Sequence, residues 1–110
     1  MYVVDLNSRK TLYYKDLQLN GLMHHNAIPV AASVTLIGEH LIVMDNQGTA
    51  VVLQPGREFH EVGRNRIETQ LDRVWPIPAQ ETLAYSPPIA ADDCLYLRGE
   101  RYLYCIGRSK

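Results

Sequence analysis

The sequence predicts an all-β chain of antiparallel sheets, and three observations carry that expectation. Seven of its nine aromatic residues are Tyr, and Tyr, like Val, Ile and Thr, suits a pleated, half-buried strand. The apolar segments are short, bounded by turn residues and without helical periodicity. Both faces of the better strands are apolar: Leu41 and Val43 alternate with Ile42 and Met44, Leu95 and Leu97 with Tyr96, and Tyr102 and Tyr104 with Leu103 and Cys105. A sheet with one wet face carries a polar residue at every second position. These sheets therefore expect cover on both sides, and with no helical segment in the chain the cover has to be other sheets.

In chain order the expected strands are Tyr2 to Leu6, Thr11 to Lys15, Ser33 to Ile37, Leu41 to Met44, Thr49 to Gln54, Glu58 to Val62, Tyr85 to Ala90, Leu95 to Arg98 and Tyr102 to Ile106. Asp45-Asn46-Gln47-Gly48 joins the fourth and fifth as a hairpin, because Asp and Asn turn the backbone and Gly takes a positive φ. Pro55-Gly56 reverses the chain again, so the sixth strand pairs antiparallel with the fifth. Arg98-Gly99-Glu100-Arg101 reads as a two-residue loop with Gly at its first central position, as a type II′ turn requires. That register sets Tyr96 opposite Leu103, Leu95 opposite Tyr104 and Cys94 opposite Cys105.

Composition narrows the function classes. The chain has 110 residues, 46% hydrophobic and 21% charged, which excludes wholesale disorder. A net charge of −1 leaves no electrostatic footprint for nucleic acid or a membrane surface. No apolar run approaches the ~20 residues of a membrane span. The N-terminal stretch reaches Asp5 without a basic region ahead of an apolar one, so no signal peptide is expected in this chain.

The segment from Ser33 to Gly56 repeats from Ser86 to Gly107. Ser33 aligns with Ser86 (86 − 33 = 53), Leu41 with Leu95 (95 − 41 = 54) and Leu53 with Ile106 (106 − 53 = 53), with one residue of slack in each of two loops. The opening segment fits the second half of the same unit, Val3-Val4 over Val51-Val52 and Arg9 over Arg57. Units of ~40 to 55 residues made of short strands have the size of propeller blades. The expected fold is a partial β-propeller of about two blades: residues 1–20 end one blade, 30–70 form a full blade and 83–107 form most of a further one.

The repeat resembles that of the quinoprotein-like β-propellers, proteins similar to pyrroloquinoline quinone (PQQ) alcohol dehydrogenases and to propeller-form outer-membrane assembly lipoproteins. The family's docking pattern Ala-x-Asp-x-x-Thr-Gly-x-x-x-Trp is matched by Val3, Asp5, Ser8, Arg9 and Tyr13, with Ser for Thr, Arg for Gly and Tyr for Trp. VMDNQGTAVVLQPGREF and LYLRGERYLYCIG look like closing blades. The resemblance covers Tyr2 to Gly107 and implies a bacterial chain, the C-terminal blades of a propeller with a WD-like architecture, and a periplasmic or secreted location. It implies a non-catalytic scaffold that meets a protein or ligand, or its own copies, through blade edges and faces, without a cofactor. The alternative it implies is a fragment of a PQQ-dependent alcohol or sugar dehydrogenase, in which PQQ and Ca²⁺ need several oxygen ligands and an Arg.

No catalytic, metal or cofactor residue is assigned. His24-His25 suggests metal ligation, but adjacent side chains of an extended segment point apart, so a loop pair is expected. Cys94 and Cys105 sit across a hairpin where a disulfide is conceivable, although the expected role is as small apolar residues buried between blades. Asp92-Asp93 and Glu39-His40 occupy matching repeat positions and read as polar hairpin tips. Arg64-Asn65-Arg66, Arg98 and Arg101 suit an anion, but Glu58, Glu61, Glu68 and Glu100 nearby cancel their field. Trp75-Pro76-Ile77-Pro78 reads as a rigid linker that buries its Trp against a blade. GxSxG, HExxH, Walker and dinucleotide-binding patterns are missing from the sequence.

Overall fold

The structure is a computed structural model and describes residues 1–19, 33–45, 48–67, 86–99 and 102–107. These residues form nine strands and no helix: β1 (Tyr2–Val4), β2 (Thr11–Tyr14), β3 (Thr35–Ile37), β4 (His40–Met44), β5 (Thr49–Leu53), β6 (Glu61–Arg66), β7 (Ile89–Ala91), β8 (Cys94–Arg98) and β9 (Leu103–Gly107). Every pairing is antiparallel and between sequence neighbours. The first sheet is β1-β2, the second β3-β4-β5-β6 and the third β7-β8-β9, and none is closed. All nine expected strands are present, with ends moved by up to four residues.

The turns explain the pairing. Gly38 (φ +59°) and Glu39 make the two-residue loop between β3 and β4, and Asp92 (+49°) and Asp93 (+61°) make the one between β7 and β8. Left-handed φ values are what tight hairpin loops demand, and Gly and Asp tolerate them best. The expected polar tips are present, but the match to Asp92-Asp93 is Gly38-Glu39. His40 already belongs to β4.

Between β4 and β5, Asp45 donates its N–H to the Thr49 carbonyl at 3.0 Å, and Gly48 takes φ +92°. The buried Asp45 carboxylate accepts the Thr49 N–H at 2.8 Å. The reversal after β5 is longer than the Pro55-Gly56 pair suggested. The Gln54 N–H donates to the His60 carbonyl at 3.0 Å, Gly56 has no positive φ, and β6 begins only at Glu61.

The last hairpin corrects the sequence reading. Leu95 faces Ile106, Tyr96 faces Cys105, and Cys94 faces Gly107. The Gly99 N–H bonds the Tyr102 carbonyl at 2.8 Å, so the loop is one residue later than a type II′ turn on Gly99 would set it, and Gly99 has no positive φ. The internal repeat predicts this register where the turn residue does not. Leu41 faces Leu53, and the aligned Leu95 and Ile106 face each other in turn. One residue of slack lies in this loop, three residues after Asp45 against two after Gly99. The other falls ahead of β7, not in a hairpin, because the first hairpins of both units have two-residue loops.

The opening hairpin needs a second correction. The irregularity between Val3 and Val4 matches the one between Val52 and Leu53. The bond from the Asp5 N–H to the Lys10 carbonyl matches that from Gln54 to His60. Val3 is thus equivalent to Val52 (52 − 3 = 49), not Val51, and a one-residue slip exchanges the faces of a strand.

The second sheet is covered on both sides. Its upstream face carries Val43, Val51 and Leu53, buried with Leu17 from the segment after β2 and packed by Met1, Leu19, Leu41 and Phe59. Its downstream face carries Ile42 and Met44, buried with Leu97 of β8 and packed by Leu95 and Tyr104 of the third sheet. The downstream cover is the third sheet, as two-sided apolar strands require, whereas the upstream core is closed by Met1 and the non-strand segment after β2. With the corrected offset the sheets stack in one sense. The face of the first sheet bearing Val3 and Tyr13 is the equivalent of the second sheet's downstream face, and from it Tyr13 meets Phe59, which with Met1 packs on the second sheet's upstream core.

Candidate docking interface between sheets

The contact between the first and second sheets is built from two turns. Asp5 leaves β1 and holds its own turn, accepting the N–H groups of Asn7 and Ser8, both at 2.9 Å. Its other oxygen takes the Arg57 guanidinium at 2.6 Å from the loop between β5 and β6. The Ser8 amide and then Arg57 hold this carboxyl below its ordinary value of 3.8. Four residues further along, Arg9 adopts φ +56°, a conformation that glycine takes without strain. Tyr13 meets Phe59 edge to face at 6.2 Å, and the Lys15 ammonium lies 4.9 Å from the centre of the same ring. Equivalent turns of consecutive units are thereby tied by a charged pair and an aromatic pair.

The contact between the second and third sheets is apolar. It is tight around Leu97 and opens into a cleft of about 480 Å³ lined by Ile37, Ile42, Leu95, Ile106 and the β7–β8 hairpin tip from Ala90 to Cys94. Such a cleft offers burial and the two carboxylates of its turn. Among the described residues, no group of three or more His, Cys, Asp or Glu side chains is placed to hold a metal ion.

Cys94 and Cys105 are free thiols on the outward face of the third sheet, Cys94 half-buried and Cys105 exposed. They sit diagonally, not opposite, and Cys105 is not buried between sheets in a single copy of the chain. Hydrogen bonding to Cys105, then burial, pushes the Cys94 thiol above its ordinary value of 9.0. Cys105 is also the first cause that raises Tyr96.

Arg64 closes a two-bond pair with Glu61, both bonds at 3.0 Å, so its charge is met within its own strand as the nearby acids suggested. Arg98 ends β8, exposed. His24-His25, Arg101 and Trp75-Pro76-Ile77-Pro78 lie outside the described residues. Sequence reading missed the partners of Asp5 and Tyr13. The available signal was that Arg57 and Phe59 stand in the loop one unit after Asp5. No protein family, curated protein or solved structure matches the chain.

Proposed function

We propose that the chain is a repeat module of the quinoprotein-like β-propeller kind, acting as a non-catalytic scaffold whose sheets dock on one another and on a partner. The observation that carries the reading is the repeated pair, Leu41 with Leu53 and Leu95 with Ile106, in sheets that stack in the same sense. Same-sense stacking of short antiparallel sheets is how blades pack around a propeller axis.

The docking pattern adds support. Asp5 and Tyr13 reach the next unit through Arg57 and Phe59. Arg9 has the positive φ that accounts for glycine at that place in the family's pattern. Titration of PQQ with Ca²⁺ into the full chain, followed by a dye-linked dehydrogenase assay, tests the reading. No saturable binding and no turnover are expected; quinone binding that confers alcohol or sugar oxidation would overturn it.

A further inference from the structure

The two outward faces of the stack carry exposed apolar residues, several of them at positions that are covered in the middle sheet. Tyr2, Val4 and Tyr14 lie on the upstream face of the first sheet and are exposed. The middle-sheet equivalents of Tyr2 and Val4 are Val51 and Leu53, which are buried at 0% and 2% exposure. On the downstream face of the third sheet, Leu103, Cys105 and Tyr96 are the equivalents of Ala50, Val52 and Ile42. Leu103 is 70% exposed, whereas Ile42 is buried and Ala50 packs beside it. Within the chain, a downstream face meets an upstream face twice. The two faces left over are one of each kind.

We propose that a second copy of this chain supplies the missing contact, the upstream face of its first sheet covering the downstream face of the third. The contact continues the internal packing between copies, and rests on reading the chain as a stacked repeat. It is heterologous, joining different patches on the two copies, so that it closes a ring or extends a stack. Cys94, Cys105 and Tyr96 lie under the second copy.

Two charge insertions test the proposal, Tyr14→Glu on the first sheet and Leu103→Glu on the third. Both sites are exposed in a single chain, and circular dichroism checks that each variant keeps its sheet content. Light scattering after size exclusion is expected to show wild type at two or more chain masses and each variant alone as a monomer. A one-to-one mixture of the variants should recover a pair of chains, because each retains the face the other has lost. In wild type, alkylation of Cys94 and Cys105 should slow as protein concentration rises, and in Tyr14→Glu it should not. Monomeric wild type with concentration-independent alkylation, or a mixture that stays monomeric, overturns the contact. The quinone titration is read on the same sample. A monomer that binds no PQQ ends the second-copy contact alone, whereas PQQ-dependent turnover ends the scaffold reading.

Discussion

The second sheet and the sheets on either side of it are made from the same unit, yet they end in different surroundings. Val51 is fully buried, whereas Tyr2, its equivalent in the first sheet, is 72% exposed. Met44 is buried and its equivalent Arg98 is exposed. Alternation along a strand decides which face a residue occupies. Position in the stack decides whether that face is dry. An apolar residue at a given repeat position therefore stabilises the fold only when a neighbouring sheet covers it.

The largest test of this difference pairs Leu53→Ala with Val4→Ala, equivalent positions in a covered and an uncovered sheet. Removing a buried leucine side chain loses burial and leaves a cavity, so Leu53→Ala should cost about 2–5 kcal/mol. Val4→Ala in dilute protein should change stability by less than about 0.5 kcal/mol. Urea denaturation reads both, and equal losses would break the comparison.

Equivalent turn positions give the next effect. Gly38→Ala, at φ +59°, should cost about 1–2 kcal/mol of left-handed strain. Asp92→Gly, at the equivalent place in the third sheet, should leave stability unchanged or raise it by up to about 1 kcal/mol. A thermal melt in which Gly38→Ala is neutral would remove strain as the reason for glycine there.

Arg9→Gly is smaller still. Relief at φ +56° is offset by the entropy of glycine, for a net gain between zero and about 1 kcal/mol on chemical denaturation. A clear loss would mean that the Arg9 side chain, and not its backbone, is what the docking turn needs.

The smallest effect is pH dependence at the Asp5–Arg57 contact. The folded carboxyl lies below its ordinary 3.8, so its contribution is complete above that value and is lost as pH falls through the folded value. The melting-temperature gap between wild type and Asp5→Asn should narrow as the solution is acidified from about pH 5. A constant gap would assign Asp5 no ionised role.

Fold class was legible because strand chemistry and two-sided apolarity are local properties of the residues. Register was legible only through the repeat. Gly99 fits a type II′ turn in isolation, but the pairing of Leu95 with Ile106 follows the Leu41–Leu53 pair and shifts the loop by one residue. That error left the faces of β8 and β9 correct, since the register moved by an even number of positions. The one-residue misalignment of Val3 exchanged faces and hid the sense of the stack. The Asp5–Arg57 and Tyr13–Phe59 contacts join residues far apart in the chain. Their pairing depends on how two sheets meet, which no local pattern encodes.

Methyl-detected NOE spectroscopy on the full chain tests the stacking most directly. Leu97 methyls should show contacts to Ile42 and Met44, and Leu17 methyls to Val43 and Val51. Contacts from Leu97 to Val43 or Val51 would put the third sheet on the wrong face and contradict the same-sense stack.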